Sequence, residues 1–499
     1  MGLINILLEE ISFFPTLLLL SIPILFVILK SFLLKGNSYS LPPGPRPWPV
    51  IGNIHQMGNM PHVTLSNLAK VHGPLMSLRL GGQLLIVGSS TTAAMEILKT
   101  HDRVLSGRYI MHALPVKSPE LNHLSLAFAS ECTKPWKLLR TICRTELISH
   151  KALDSQIKLR EKKVMEMVEF LGKNGGKAVN VGEIVFATAF NILGHVMFSR
   201  DLVDFQGRGM GGEMKELITR ILELISSPNI SDFYPIVGRW DVQGIRKKTH
   251  ETFRSVFTIW DCIITERREQ TKDSRPGDFL DFLLHTGFNN DQINQFFMEL
   301  FIGGSETTSE TTAWAMAELI KNQESMQKLC KELANEIGGD IVRDSHLPNL
   351  PYLQACLKET MRLHPVVPLI LPHQALETCE VMGYNVPKDS QVLVNVWAIG
   401  RDPKHWKDPL SFKPERFLNS SLDYKGNDFE LLPFSAGRRI CPGLPLAARK
   451  IPLFVATLVH SFDWHLPGNM DAAKLDMSEK VSTVLRREQP LHLIPTVRK

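Results

Sequence analysis

The chain lacks the cysteine pattern of a disulfide-stapled protein. Its seven cysteines, spread over 499 residues, follow no regular spacing and form no Cys-x-x-Cys. This excludes a disulfide framework and points to a reducing compartment. Gly/Ser linkers, repeats and low-complexity tracts are absent too, so a length that simple division would split reads as one large domain. Charge of one sign is in short supply. The formal net charge of +5 is small for this size, and nucleic acid is not an expected partner. The chain also has no nicotinamide- or flavin-binding Gly-x-Gly-x-x-Gly fold of its own, so electrons for redox chemistry have to come from elsewhere.

Charge is missing altogether from Ile11 to Leu29, a run of mostly Leu, Ile, Phe and Val. It approaches the roughly 20 residues a membrane span needs, and membrane helices tolerate prolines such as Pro15 and Pro23. Glu9 and Glu10 precede it and Lys30 and Lys35 follow, which places the tip in a lumen and the body in the cytosol. The acidic start and the missing small-residue cleavage site argue against a signal peptide. Residues 1–35 are thus expected to anchor the chain, with the span at about 11–29. Residues 36–49 form a hinge whose core, Leu41-Pro-Pro-Gly-Pro-Arg-Pro-Trp-Pro49, cannot be helical and is semi-rigid. Residues 50–499 form the globular body.

Within the body, alternating apolar positions from Met76 to Leu80 and an apolar run from Leu84 to Val87, separated by Gly81-Gly82, predict a β-hairpin. Leu139 to Leu171 and about Met214 to Ile225 show helical spacing. Strand-like runs recur at Val381–Val386 and Gln391–Val396. The expected fold class is mainly α with small β-sheets. From Asp291 to about Lys321 the pattern predicts one long helix, ~45 Å by its rise per residue, begun by the N-cap chemistry of Asn289-Asn290-Asp291. Its middle, Gly303-Gly304-Ser305-Glu306-Thr307-Thr308, breaks the helix-forming rules, since each glycine costs about 1 kcal/mol relative to alanine. Either a tight helix crossing or a local opening explains that loss.

Phe434-Ser-Ala-Gly437-Arg-Arg439-Ile-Cys441-Pro-Gly443 reads as a loop that holds a thiolate against haem iron. An axial thiolate pushes electron density onto the iron and favours O–O cleavage. Gly437 and Gly443 let the backbone curl around the sulfur with amides facing it, and those donors are expected to lower the thiol pKa and keep the ligand anionic. Phe434 shields the sulfur side of the ring, while Arg439 offers a fork of donors to a propionate. An opening of the long helix at Gly303 and Gly304 would then make room for O2 and free carbonyls for the Thr307 hydroxyl. Glu306 would supply the acid for proton delivery.

An aromatic, glycine, arginine, cysteine and glycine at these intervals resemble the haem-binding signature of the cytochrome P-450 family. The likeness extends over almost the whole chain, through the proline hinge, Gly303 to Thr308, Glu359-x-x-Arg362, Pro414-Glu-Arg416-Phe and Trp397-Ala-Ile-Gly-Arg-Asp-Pro403. It implies the cytochrome P-450 fold, haem b with Cys441 as its axial iron ligand, and Glu306 and Thr307 as the proton relay. It also implies electrons from NADPH delivered by a separate flavoprotein, NADPH–cytochrome P-450 reductase, and an endoplasmic-reticulum membrane location, single-pass with the catalytic domain cytosolic.

By the same resemblance Trp136, Arg140, His373 and Arg439 contact the haem propionates, and Glu359, Arg362 and Arg416 form a buried structural triad. Pocket walls are expected from the loop Tyr109 to Phe128 and from Phe297, Leu300, Ile302, Val367, Leu369 and Thr483, a mostly apolar set that suits a small lipophilic substrate. Lys134, Lys137, Arg144, Lys151, Arg438, Arg449 and Lys450 offer a basic surface to an acidic reductase.

Leu98 to Arg108, Cys143 to Leu147 and Arg160 to Lys163 look most like plant microsomal enzymes that oxidise benzylisoquinoline alkaloids. Geraniol and diterpene hydroxylases are nearly as similar. The expected reaction is aromatic hydroxylation or C–C/C–O phenol coupling of such an alkaloid, with terpenoid hydroxylation as the alternative. A reductase-independent haem-thiolate isomerase is more remote, because Glu306 and Thr307 are both present. A cationic amine in the substrate would call for an acid, for which Glu120 and Glu299 are the candidates.

Overall fold

The structure is a computed structural model in which residues 40–205, 210–270, 276–481 and 484–498 are described. The expected span at 11–29, the rest of residues 1–35, the start of the hinge and Thr483 lie outside the described residues. What is described is mainly helical with small sheets.

The predicted hairpin forms as β1 (Leu75–Leu80) and β2 (Gln83–Gly88), antiparallel around Gly81. These join β3 (Gly107–Arg108), β4 (His373–Gln374) and β5 (Gln391–Val394) in one sheet of order β1-β2-β5-β4-β3, parallel only between β2 and β5. The end of the hinge is tied to β1, since the Ser77 amide and hydroxyl donate to the Pro43 and Pro42 carbonyls at 2.9 and 2.7 Å. The expected strand run Val381–Val386 is broken by a turn at Met382-Gly383 and lies across the tip of a second hairpin, Cys379–Val381 against Tyr384–Val386.

The helices that frame the site are α1 (Lys134–Ile142), α2 (Ile157–Lys173), α3 (Val181–Phe198), α4 (Met210–Ser226), α5 (Ile230–Phe233), α6 (Ile245–Glu269), α7 (Asn290–Lys321), α8 (Pro351–Leu363) and α9 (Leu444–Ser461). The single apolar-periodic stretch Leu139–Leu171 is broken: α1 ends in a wide π-turn, Cys143–Leu147, and Ser149 caps a new short helix by accepting from the Ala152 amide. Local capping chemistry outweighs continuous periodicity there. The long helix α7 runs 32 residues from a capping box, in which Asn289 and Gln292 exchange side-chain-to-backbone bonds at 2.9 Å.

Two apolar cores meet along α7. Its first half, Ile293 to Phe301, packs with α3, α4 and α6, and Phe190, Phe198, Trp260, Phe297 and Phe301 interlock there with ring centroids 4.6–6.4 Å apart. Its last turns, Ala315 to Ile320, pack with α2, α8 and α9. Among the described residues only α3 is long and apolar enough to cross a membrane, and most of it is buried against α7 and its neighbours. Its apolarity is that of a core helix.

The loop that follows β3 is fastened to α5 by one residue. Asp232 accepts the His112 amide at 2.8 Å and the His112 ring at 3.2 Å through its carboxylate, while its carbonyl accepts the Tyr109 hydroxyl at 2.9 Å.

Candidate active site

Cys441 ends a tight loop closed by its own amide, which donates to the Phe434 carbonyl at 3.0 Å. Gly437 has φ +68°, and a Cβ there would overlap the Leu98 carbonyl oxygen, so the loop needs glycine at this point. Gly443 is different. Its φ of −75° suits any residue, and a Cβ would stand an ordinary 3.7 Å from the Cys441 sulfur. The Gly443 and Leu444 amides at the start of α9 face the sulfur and favour a thiolate, yet burial outweighs them and pushes the Cys441 thiol up. The amides thus act in the expected direction, toward the anion, against the pull of burial. A bonded metal ion would supply what they lack, since coordination deprotonates a thiol outright.

Lining a cavity of about 350 Å³ together with Cys441 are Trp136 and Arg140 from α1, Arg439 from the loop and Arg108 from β3. Arg439 donates to the Ser106 and Ala129 carbonyls at 2.9 and 2.6 Å, and its remaining Nη1 has no partner among the described residues. Arg140 donates to the Ile440 carbonyl at 2.7 Å. Arg108 donates to the Ala127 and Leu371 carbonyls at 3.2 and 2.8 Å. His373 is buried behind them, its Nδ1 against the Leu105 carbonyl at 2.7 Å and its Nε2 without a partner. Burial and then Arg439 bring the Arg108 pKa down to about 9, and burial holds the His373 imidazole well below its usual range. No carboxylate pairs with Arg108, Arg140 or Arg439 among the described residues. Buried cations without counter-charges are costly. A buried thiol, an apolar cavity and this set of unpaired cations fit haem, whose two propionates supply the missing negative charge.

The opposite wall is α7, and it is not opened. Residues 303–308 remain α-helical. The Thr307 and Thr308 hydroxyls add bonds to the Gly303 and Gly304 carbonyls at 2.7 and 3.0 Å, so neither carbonyl is freed by an opening of the helix. The two glycines divide the two explanations between them. A Cβ at Gly303 would meet open space, and one at Gly304 would press the Leu193 side chain of α3 at 3.0 Å. The first leaves room in the cavity, and the second permits the crossing of α3 and α7. Glu306 lines the cavity, and burial raises its pKa. One turn on, Glu310 is raised to about 8 by burial and by Glu306.

Residues 42–494 match the cytochrome P450 family. This chain is a cytochrome P450. It is 47% identical to (S)-N-methylcoclaurine 3'-hydroxylase isozyme 1 of Papaver somniferum over 477 residues, 95% of this chain and 98% of that protein. It is 46% identical to corytuberine synthase of Coptis japonica over 482 residues, 96% and 98% of the two chains. It is 42% identical to berbamunine synthase of Berberis stolonifera over 479 residues, 95% and 98%. As a P450 it is an oxidoreductase of the monooxygenase class that works with haem iron, O2 and electrons from a redox partner.

Elsewhere in this P450, Glu359, Arg362 and Arg416 come together. Arg362 Nε and Nη2 grip the buried Glu359 carboxylate at 2.6 and 2.8 Å, and Arg416 Nε and the Lys413 amide complete it at 2.9 and 2.8 Å. Leu300, Ile302 and Val367 line the cavity. Two pocket expectations are corrected. Phe297 turns into the aromatic core with Phe301, one helical turn on, away from the cavity face that carries Leu300, Gly303 and Thr307. Leu369 packs toward Leu65 and Met76, because Ile370 at φ +49° reverses the chain and takes the cavity side itself.

The acids are corrected as well. Glu120 is exposed and lines no part of the cavity. Glu299 lines it but is occupied: it accepts from the Ser125 hydroxyl at 2.5 Å, the Leu126 and Ala127 amides at 2.7 and 2.9 Å, and Gln295 at 2.8 Å. It holds the loop in place, with no site left for an amine. Of the expected basic surface, Lys134, Lys137, Arg144, Lys151 and Arg438 are exposed, but Arg449 pairs with Asp154 at 2.6 Å and Lys450 is fully buried. Sequence reasoning passed over Arg108, although an arginine between Gly107 and Tyr109-Ile110 was a visible signal. It also missed that Lys450 falls in helical phase with Leu446 and Phe454.

Proposed function

We propose that this P450 is an endoplasmic-reticulum enzyme that oxidises a benzylisoquinoline alkaloid, by aromatic hydroxylation or by phenol coupling, with NADPH electrons from a separate flavoprotein reductase. The observation that carries the reading is likeness over nearly the full length to proteins named for that chemistry. The apolar walls of the cavity support a lipophilic guest. Residues 1–35 form the anchor, 36–49 the hinge and 50–499 the catalytic domain. A surface of exposed Trp48, Val50, Ile51, Ile236, Trp240 and Val242 supports the membrane reading. Tyr234 joins its two parts by donating to the Val50 carbonyl at 3.2 Å.

When bound through Cys441, haem supplies the reductive activation of dioxygen. Trp136, Arg140, His373, Arg439 and Arg108 would hold its propionates, and Phe434 would cover the sulfur side. Thr307 keeps its hydroxyl fixed on the Gly303 carbonyl beside the open space that Gly303 leaves. Glu306, its pKa raised by burial, holds a proton closer to neutral pH than a surface acid does and passes it toward the cavity through Thr307.

The occupied state of Glu299 favours a second reading, terpenoid hydroxylation, because a neutral substrate needs no acidic partner. Microsomes containing the protein and reductase, given N-methylcoclaurine, reticuline and geraniol separately with and without NADPH, decide among these. We expect a benzylisoquinoline product one oxygen heavier for hydroxylation or two hydrogens lighter for coupling. Turnover of geraniol alone rejects the alkaloid, and turnover without NADPH rejects the monooxygenase.

A further inference from the structure

We propose that Lys450 is a positioning residue for the turn of α7 that carries Glu306 and Thr307, acting by clamping the Gly304 carbonyl from α9. This rests on the reading of that turn given above. The Lys450 side chain is 1% exposed, and its Nζ donates to the Gly304 carbonyl at 2.9 Å. No carboxylate pairs with it among the described residues. The charge it feels most is Arg160 of α2, of the same sign and itself bound to Asp344 at 2.9 Å. Burial and Arg160 bring its pKa down to about 7.

A buried amine is an expensive filler. Lys450 sits on the inner face of α9 beside Ile451, Leu453 and Phe454, where an apolar chain of similar length satisfies packing at lower cost. What an apolar chain cannot do is donate a hydrogen bond. The acceptor, the Gly304 carbonyl, also takes the Thr308 hydroxyl, and the neighbouring Gly303 carbonyl takes the Thr307 hydroxyl. Neither glycine has a side chain to anchor the turn to its neighbours, and the two threonine bonds lie within α7 itself. A donor from α9 fixes it from outside, and Lys450 itself lines the cavity.

The test compares the purified holoenzyme with its Lys450→Met and Lys450→Gln variants. Methionine keeps the packing and loses the donor, whereas glutamine keeps a donor. In Lys450→Met, amide exchange over residues 304–308 should rise about tenfold, the factor expected for one lost hydrogen bond. Peroxide released per NADPH with N-methylcoclaurine present should rise at least about threefold, while haem content and the carbon monoxide band stay those of the parent. Lys450→Gln should restore both readouts to within about twofold of the parent. Parent-like exchange in Lys450→Met, or a Gln variant no better than Met, overturns the proposal. A Met variant that fails to fold also overturns it, because the lysine would then serve the core as a whole. Failure of the underlying reading shows differently, as a parent enzyme that consumes no NADPH with reductase, and the exchange comparison still reports on the clamp.

Discussion

Glu299→Leu should loosen the loop around Ser125 to Ala129 before it affects anything else. The substitution removes the acceptor from the Leu126 and Ala127 amides, and leaving two buried backbone amides unpaired costs about 1–3 kcal/mol each. Part of this is returned, because the parent buries a carboxylate whose pKa burial has already raised. A net cost of about 2–4 kcal/mol remains, concentrated in one loop. That loop also carries the carbonyls that receive Trp136 Nε1 at 2.9 Å, Arg108 and Arg439, so loosening it slackens the cationic cradle. The assay is amide exchange over residues 122–130 together with haem retention on warming. Exchange should rise at least about tenfold, and haem should leave at lower temperature than in the parent. Glu299→Gln, which keeps one carbonyl acceptor, should fall between. Unchanged exchange in the leucine variant refutes the reasoning. So does a glutamine variant that binds N-methylcoclaurine much more weakly with its loop intact, because Glu299 would then be the amine's partner after all.

Arg362→Ala leaves the fully buried Glu359 with Arg416 as its one remaining cation and should destabilise the fold by about 3–5 kcal/mol, read as a sharp loss of holoenzyme yield and melting temperature. Lysine should not rescue it, because the grip on Glu359 is bidentate. Glu310 titrates in the opposite sense from an ordinary paired carboxylate. Its folded pKa of about 8 lies above its unfolded value of 4.5, so the folded state holds the extra proton and stability is lost as pH rises through that window. Glu310→Gln should therefore melt higher than the parent at pH 8 and about equally at pH 4, and an equal gap at both would contradict the burial of Glu310.

The parts of the site that were legible in the sequence are those that break a local rule. Two glycines and an acid inside a long helical pattern, and a cysteine in a loop of glycine and arginine, break such rules, and both segments line the cavity. The capping box of α7 was legible for the same reason, since Asn289 and Gln292 sit three apart at the start of a periodic run. Arg108 and Lys450 were not, because a cation acquires its role from burial, and burial is decided by elements far away in the chain. Phe297 illustrates phase: in a helix apolar on several sides, one residue's error of face separates the aromatic core from the cavity. Glu299 shows the limit most clearly. Its carboxylate does lie at the cavity, but four donors already occupy it, and only coordinates reveal occupancy.

The fastening of His112 and Tyr109 to Asp232 bears on how readily the loop after β3 parts from α5. Its stitches are hydrogen bonds, and the His112 and Asp232 side chains that make them are partly open to water. Each stitch that breaks is replaced by water at small net cost, whereas a seam of interlocked leucines would have to expose its whole area at once. A seam made in this way holds the two elements together and still opens piece by piece at low cost.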